Sequence, residues 1–395
     1  MDEEVYILPP AGYTKAEGKV CRLKRSLYGL KQASRQWNKE FISFLLKQGF
    51  VQSKQDYSLF TKGSGSNFIA VQVYVDDVLI TGGNSSDIQL LKNALDQAFT
   101  IKDLGCMRYF LGIEVARSSA GTLLNQRKYI LDILQDAGMT ACKPADFPLP
   151  TNLRLTIDQG ELLSHPEVYR RLVGRLLYLN ITRPDISYAV QHLSQFLSQP
   201  RHPHMQAALH LLRYLKGSIG VGLFYPANST LCLKAYTDAD WARCMSSRKS
   251  LTGYCLFLGD SLISWKTKKQ KTVSKSSAES EYRAMSETAS EIEWMIGILR
   301  DLQVPLQLPL TLYCDNKAAQ YIAANPVFHN RTKHLDINCH YVRDKIKEGL
   351  IQTAHISSHD QLADIMTKPL PTQQHHALAL KLGLVFPSKS NLRGG

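Results

Sequence analysis

The sequence predicts a protein of mixed α+β and α/β class, and three observations support that prediction. Two apolar runs flank a pair of aspartates within FIAVQVYVDDVLITG (68–82), which is typical of two neighbouring strands. Apolar residues recur every three or four positions through much of 117–225, which indicates helices. From about residue 231, three strand-like runs precede alternating helices and strands, and this order predicts a mixed sheet covered by helices.

Length and composition limit the classes of function. The 395 residues suggest two or three domains. Lys and Arg number 47 against 34 Asp and Glu, a net charge of +13, which favours a polyanionic partner, nucleic acid before membrane. A protein that is merely basic is the alternative. There is no run of about 18 apolar residues and no signal peptide, and the cysteines are dispersed, so we expect an intracellular protein, cytoplasmic or nuclear, without a membrane span.

The first part of the chain, to about residue 116, combines helices and strands. The predicted helices cover 35–48 and about 87–99. Between them two strands meet in a tight turn at Asp76 and Asp77, and MRYFLGIEVA (107–116) follows as one more strand. The second part is mostly helical, with helical spacing in YRRLVGRLLYLN (169–180), ISYAVQHLSQFL (186–197) and MQAALHLLRYLKG (205–217).

The third part begins after the small, polar stretch PANSTLC (226–232), which has the character of a linker. Three strands open it, and helices and strands then alternate. In chain order the predicted elements are LCLKAYTD (231–238), TGYCLFLG (252–259), SLISWKTK (261–268), a long helix over 277–302, LTLYCD (310–315), two helices, LIQTAHI (350–356) and a short helix over 361–367.

Asp76 and Asp77 are unusual because two adjacent charges lie between apolar strands. Aspartate is common in turns for local hydrogen-bonding reasons alone, so an ordinary turn is the alternative. A turn between two apolar strands holds its side chains rigidly, and a rigid pair of carboxylates suits a hard divalent cation such as Mg²⁺. Phosphoryl-transfer sites often hold two such ions, which need several carboxylates from different strands.

The sequence around these aspartates resembles a known family. YVDDVLITG (74–82) resembles the catalytic turn of reverse transcriptases, and its neighbours are similar to the reverse transcriptase and ribonuclease H region of copia-type LTR retrotransposon polyproteins. The motifs include KRSLYGLKQASRQWNKEF (24–41), DYSLF (56–60), DLGCMRYFLGIEV (103–115), KPLP (368–371) and LRGG (392–395). They follow one another in family order, so the resemblance covers essentially the whole chain.

The resemblance implies RNA-directed DNA synthesis coupled to degradation of the RNA in the hybrid. The implied partners are RNA, DNA, the RNA/DNA hybrid and deoxynucleoside triphosphates, with Mg²⁺ or Mn²⁺ as the metal; it gives no oligomeric state. Asp76 and Asp77 would be metal ligands, and Tyr74 would lie near the incoming nucleotide and the primer end. Gln32 belongs to the LYGLKQA segment, which would support template and nucleotide.

The family also implies a division of the chain. It gives a partial reverse-transcriptase palm (1–116), a helical thumb and connection (117–230), a ribonuclease H-like domain (231–371) and a C-terminal tail (372–395). In the family, a strand with the first catalytic aspartate precedes a segment like EEVYILPPAGY, which here stands at 3–13. We therefore expect an N-terminally truncated fragment without fingers, first palm strand or third carboxylate, and with polymerase activity absent or feeble.

A second set of acidic residues lies in the third part. Asp238 and Asp315 end predicted strands, and Asp364 lies on the last short helix; singly, each could be a turn, cap or solvated residue. The long helix offers a fourth acid. At about 100° per residue, Glu281 lies about 50° from the centre of the apolar face and Glu279 about 110° away. Glu281 could therefore reach a strand end, while Glu279 points to solvent.

Acids on a strand, a helix, a strand end and a C-terminal helix match the arrangement of ribonuclease H. The matching motifs are YTDADWA (236–242), AESEYRA (278–284), LYCDNKAA (312–319) and QLADIMTK (361–368). By that resemblance, Asp238, Glu281, Asp315 and Asp364 would bind two Mg²⁺ ions and cleave the RNA of a hybrid.

A basic run, WKTKKQKTVSK (265–275), predicts contacts with nucleic-acid phosphates. A solvated hairpin is the alternative. The predicted contact residues are Arg248, Lys249, Lys266, Lys268, Lys269 and Lys271. For the whole chain, the alternative is a catalytically silent nucleic-acid-binding remnant of a decayed retroelement.

Overall fold

The computed structural model of the protein describes residues 4–9, 12–13, 18–24, 30, 33–324 and 336–386. The chain forms two compact units. The first consists of Met1–Gly105 and Gly297–Val304, and the second of Cys106–Ile296 and Pro305–Gly395. Each unit has its own sheets and its own buried apolar residues.

The first unit contains short strands and two helices. Its elements are β1 (Tyr6–Ile7), β2 (Cys21–Arg22), α1 (Ala33–Lys47), β3 (Val51–Gln52), β4 (Leu59–Lys62), β5 (Ile69–Tyr74), β6 (Asp77–Gly82) and α2 (Ser85–Phe99). The antiparallel sheet β3-β4-β5-β6 packs against both helices through Phe41, Leu45, Val71 and Leu95. The helix α2 begins two residues earlier than predicted, because the Asn84 side chain accepts a hydrogen bond from the Ser86 amide at 2.9 Å and caps it.

The second unit carries two five-stranded sheets. Its elements are β7 (Tyr109–Phe110), β8 (Ile113–Ser118), β9 (Gly121–Asn125), α3 (Arg127–Asp136), α4 (Pro166–Leu179), α5 (Ser187–Ser194), α6 (His202–Gly217), β10 (Gly222–Pro226), β11 (Leu233–Asp240), β12 (Leu251–Leu258), β13 (Ser261–Lys269), α7 (Ser277–Asp301, whose end lies in the first unit), β14 (Leu310–Cys314), α8 (Lys317–Ala324), α9 (Asp336–Lys347), β15 (Ile351–His355), α10 (Asp364–Thr367), α11 (Thr372–Lys381) and β16 (Leu384–Val385).

The segment MRYFLGIEVA is two strands, where the sequence predicts one. β7 and β8 form a hairpin, with Tyr109 paired to Glu114. The turn between them holds Leu111 and Gly112 at φ 48° and 76°, a left-handed backbone that cannot continue a strand. The Tyr178 hydroxyl donates a hydrogen bond to the Leu111 carbonyl and so holds this turn.

The antiparallel sheet of the second unit runs in the order β16-β10-β9-β8-β7. The strands β9 and β10 lie at the two ends of the part predicted as mostly helical. The helices α3–α6 between them share one apolar core, with Ile133, Val173, Leu193 and Leu211 fully buried. This agrees with the helical spacing of the sequence.

The helix α11 docks on a buried charged pair. The Arg183 guanidinium donates to both carboxylate oxygens of Asp185, at 2.9 and 2.7 Å, and the Tyr214 hydroxyl donates to the same carboxylate at 2.6 Å. His375 of α11 meets the Asp185 carbonyl at 3.0 Å. Burial would raise the pKa of Asp185, but the positive charge of Arg183 outweighs it and holds that pKa below its usual value.

The other sheet of the second unit is mixed, in the order β13-β12-β11-β14-β15. β11, β12 and β13 pair antiparallel, whereas β11, β14 and β15 pair parallel. The helix α7 packs through Tyr282, Met285 and Ile292, all buried as its spacing predicted. The predicted class, α+β and α/β with a ribonuclease H-like mixed sheet flanked by helices, is thereby confirmed.

A glycine lets α10 lie directly on this mixed sheet. A Cβ atom at Gly253 of β12 would lie 2.6 Å from Thr367 Cγ2 and 2.7 Å from Met366 Cβ, so any larger residue would push these side chains away. Gly253 pairs with Asp238 across the sheet. The close approach therefore brings the start of α10 to the strand that carries Asp238.

Candidate active site

The mixed sheet and its helices bring four acidic side chains to one edge. β11 and β14 are parallel neighbours with Tyr236 opposite Tyr313, so Asp238 and Asp315, two residues further along each chain, reach the same edge. Glu281 lies in the second turn of α7, and Asp364 is the first residue of α10.

These acids form two overlapping groups. One ligand atom from each of Asp238, Asp315 and Asp364 lies within 4.8 Å of the other two, and the same holds for Glu281, Cys314 and Asp315. Asp315 belongs to both groups, so the four carboxylates predicted from the sequence converge. In the part of the chain that the structure describes, no other group of this kind is found.

Three of the four carboxylates are almost inaccessible to water. Asp238 is 1% exposed, and Glu281 and Asp364 are each 5% exposed. Burial raises the pKa of all three, that of Asp364 to about 6, and the charge of Asp238 raises the pKa of Glu281 and Asp364 further. Carboxylates buried this closely together require a compensating cation.

Lys368 supplies positive charge at this site, and sequence reasoning missed it. Its Nζ atom donates to Asp364 Oδ1 at 2.7 Å and to Asp238 Oδ1 at 3.2 Å. The Thr367 hydroxyl donates to the other oxygen of Asp238. Burial opposes the charge of Lys368, but the two aspartates outweigh it and raise its pKa. The sequence feature that could have identified Lys368 is its position four residues after Asp364, because residues one helical turn apart are neighbours.

The donor set fits a divalent metal ion. Asp238, Asp315 and Asp364 offer closely spaced carboxylate oxygens, the ligands that Mg²⁺ and Mn²⁺ prefer. Asp315 is only half-buried and accepts a hydrogen bond from the Ser358 hydroxyl at 2.8 Å, so this side of the site is reachable from solvent. Cys314 joins the second group through its sulfur, a softer atom that hard cations disfavour.

The sequence predicted that Glu281 joins the other acids and that Glu279 faces solvent, and only the first of these is confirmed. Glu281 lies in the acidic group and Glu279 does not. The prediction that Glu279 points to solvent is wrong, because its side chain is only 11% exposed. It accepts a hydrogen bond from the Lys275 amide at 2.8 Å and pairs with Arg283 at 2.9 Å, so it stabilises the start of α7.

The first acidic pair has a different setting. Tyr74 pairs with Asp77, so the two-residue turn is Val75–Asp76, one residue earlier than predicted. Val75 has φ 52°, a conformation that β-branched residues rarely adopt. Tyr74, Asp76 and Asp77 are all exposed, and no third acidic side chain among the described residues groups with the two aspartates. Gln32 lies outside the described residues.

The predicted phosphate contacts divide into free and engaged side chains. Lys266, Lys271 and Arg248 are exposed. Lys268 pairs with Glu287 at 3.3 Å, and Lys269 donates to Cys244 Sγ and Gln195 Oε1 at 3.0 and 3.1 Å. Lys249 is half-buried, close to Lys269 and Cys244.

No helix in the described ranges has the length and apolarity needed to cross a membrane.

Comparisons with known proteins agree with these observations. Residues 1–151 match the family model described as reverse transcriptase (RNA-dependent DNA polymerase). The chain is 44% identical to the retrovirus-related Pol polyprotein from transposon RE1 of Arabidopsis thaliana over 97% of its own length and 26% of that protein. It is 33% identical to a putative transposon Ty5-1 protein of Saccharomyces cerevisiae, over 74% of this chain and 96% of that protein.

The chain therefore spans about a quarter of the length of the Pol polyprotein it matches. Among solved structures, ribonuclease H1 from the archaeon Halobacterium salinarum matches with a TM-score of 0.24 and 14% identity. That match covers 34% of this chain and 94% of the other.

Proposed function

Because the chain belongs to the copia-type family of retrotransposon Pol polyproteins, we propose that its second unit cleaves the RNA strand of RNA/DNA hybrids as a metal-dependent ribonuclease H. One observation carries the proposal. The carboxylates of Asp238, Asp315 and Asp364 come within 4.8 Å of one another, and Asp315 is likewise grouped with Glu281. Four acids from four separate elements meet at one edge of the mixed sheet.

The chain's own residues would hold and orient the metal ligands. Mg²⁺ or Mn²⁺ bound by these oxygens would supply Lewis-acid activation of water and stabilise the leaving oxygen. Thr367 and Lys368 fix the Asp238 carboxylate, and Ser358 fixes Asp315. The site would be preorganised before substrate arrives, which lowers the reorganisation needed at the transition state.

Exposed basic residues would bind the substrate. Lys266, Lys271 and Arg248 are free to contact phosphates, and the net charge of +13 supports a polyanionic partner. Discrimination between RNA and DNA would come from contacts with 2′-hydroxyl groups across the wide minor groove. Binding should therefore weaken as the salt concentration rises.

For the first unit, the match with the reverse transcriptase model supports a polymerase role. Asp76 and Asp77 would be two metal ligands of that site, with Tyr74 beside the incoming nucleotide. No third acidic side chain among the described residues groups with these two, and a two-metal site needs further carboxylates. The division into palm (1–116), thumb and connection (117–230), ribonuclease H-like domain (231–371) and tail (372–395) belongs to the same proposal.

The test is cleavage of a labelled RNA/DNA hybrid in the presence of Mg²⁺. Asp315→Asn should lower the rate by about 10²-fold or more, since the substitution removes the acid shared by both groups. The matched control is Asp260→Asn, an exposed aspartate of the same unit, which should keep the rate of the unchanged protein. Undiminished cleavage by Asp315→Asn would overturn the site, whereas salt-sensitive binding without any cleavage would favour the silent nucleic-acid-binding remnant.

A further inference from the structure

A cavity of about 360 Å³ lies in the second unit, apart from the carboxylate site. It is bounded by the segment 151–157, by the side of α5 with Tyr188 and Gln195 just beyond it, and by the loop before β12. None of the four site acids lines it. Its volume falls in the range of small-molecule sites.

The charged residues that line this cavity are basic. They are Arg154, Arg243, Lys249 and Lys269. Of the described residues in its wall, none is Asp or Glu, and Asp240 pairs with Arg243 at 3.5 Å from outside the wall. Lys269 donates to Gln195 Oε1 at 3.1 Å and to Cys244 Sγ at 3.0 Å. Asp240 therefore offsets Arg243 and Cys244 engages Lys269, whereas Arg154 and Lys249 make no ion pair with an acid among the described residues and leave the wall with an excess of positive charge.

Two titratable side chains in the wall respond to this positive charge. Burial opposes ionisation of the Cys244 thiol, yet hydrogen bonds from neighbouring serines and from Lys269 outweigh it and lower its pKa to about 6. His192 has its pKa lowered to about 4, by burial first and then by the charges of Arg243, His204 and Lys269. The wall therefore favours a negative group over a positive one.

Part of the wall is apolar and aromatic. Tyr188 stacks on His192 with ring centroids 5.8 Å apart, and Phe196 meets His192 edge-on at the same distance. Leu153 and Leu251 extend this surface. A ligand that satisfies the whole cavity needs an anionic group for the basic residues and a flat, poorly hydrated group for the apolar side.

We propose that this cavity binds a nucleotide, with the phosphate against Arg154, Lys249 and Lys269 and the base against the apolar wall. The nucleotide is either a free mononucleotide or the phosphorylated end of a nucleic-acid strand, since both present the same group. This site is separate from the carboxylates and does not depend on cleavage of the hybrid.

Cys244 provides a readout that is independent of enzymatic activity. Its alkylation by iodoacetamide at pH 7 can be followed by mass spectrometry of the full chain, with the exposed Cys232 as internal reference. At ten times its Kd, adenosine 5′-monophosphate should slow alkylation of Cys244 about tenfold, since only the free protein reacts, and leave Cys232 unchanged. Adenosine, or sodium chloride at equal ionic strength, should have no such effect.

Matched variants separate the cavity from general charge. Lys249→Gln should weaken protection of Cys244 about tenfold, whereas Lys266→Gln, the same change at an exposed lysine outside the cavity, should leave it intact. A short oligonucleotide with and without a 5′-phosphate distinguishes a strand end from a free nucleotide. Three results would overturn the proposal: no protection by any nucleotide, equal protection by inorganic phosphate, or equal losses in the two lysine variants.

Discussion

The two acidic sites of this protein use the same residue type in opposite environments. Asp76 and Asp77 lie on an exposed hairpin, next to a strained Val75, without an acidic neighbour among the described residues. Asp238, Glu281 and Asp364 are at most 5% exposed and lie with Asp315 in a crowded group. If both bind metal as proposed, the second group already holds four acids and a counter-charge, whereas the first holds two acids and would depend on further groups.

This difference has an energetic consequence. Buried like charges raise the free energy of the metal-free fold, and Lys368 offsets part of that cost. Exposed aspartates are solvated by water and cost little. Stability measurements can therefore distinguish the two sites before any activity is measured.

The largest effect is expected for Lys368→Met. This change leaves Asp238 and Asp364 buried without their cation; because the lysine side chain is 33% exposed, we expect a loss of about 2 kcal/mol rather than the full cost of a buried pair. Urea unfolding without metal measures it, and added Mg²⁺ should restore more stability to the variant than to the unchanged protein. Lys381→Met, which breaks an exposed pair with Asp360, is the control and should change little. Equal midpoints for both variants would contradict the role of Lys368.

A second prediction concerns pH. The pKa of Asp364 rises from 3.8 to about 6 on folding, so the folded state holds this proton more tightly than the unfolded state. The stabilisation that this proton gives to the folded state is complete below about pH 4 and is lost as the pH rises through 6. The free energy of unfolding of the metal-free protein should therefore fall by about 2 kcal/mol. Urea unfolding from pH 4 to pH 7 should show this fall, and Asp364→Asn should flatten it. A variant with the same pH dependence as the unchanged protein would refute the assignment.

The glycine beneath α10 gives the third prediction. Gly253→Ala forces Thr367 and Met366 away from β12, and such overpacking costs about 1–3 kcal/mol. Gly174→Ala, in the helix α4 with no atom within 4 Å of the new methyl group, should be neutral or stabilising by up to about 1 kcal/mol. Thermal unfolding of both variants measures these changes in stability. If the Gly253→Ala protein were as stable as the Gly174→Ala protein, α10 would not lie on the sheet.

The smallest effect is expected at the first site. Asp77→Asn, and Asp76→Asn with it, should change the free energy of unfolding by less than about 0.5 kcal/mol, because both side chains are exposed. Glu281→Gln is the informative counterpart, since it removes a buried charge repelled by Asp238 and Asp315 and should stabilise the metal-free protein. A large loss at Asp77 would make that residue structural and end the contrast between the sites.

The convergence of the second group of acids was largely predictable from the sequence. Motif order identified Asp238, Asp315 and Asp364, and helical periodicity separated Glu281 from Glu279 because the long helix has one clear apolar face. Lys368 was missed because its partner Asp238 is 130 residues away, and no local pattern reports so distant a pair. The turn register at Val75 and the break at Leu111 were missed because both residues adopt left-handed backbones that their residue types rarely take.

The last helix has a practical consequence for dividing the protein. Leu378, Leu382 and Leu384 share an apolar cluster with Ile365 and Met366, the neighbours of Asp364, while His375 covers the Arg183–Asp185 pair. A fragment cut after residue 371, where the KPLP motif ends, would keep all four acids of the proposed site and yet lose the packing that holds α10. Such a fragment would also leave β10 as an unpaired sheet edge, prone to aggregation. If that fragment were inactive, the cause would be the lost packing of α10 and not a failure of the acidic site itself.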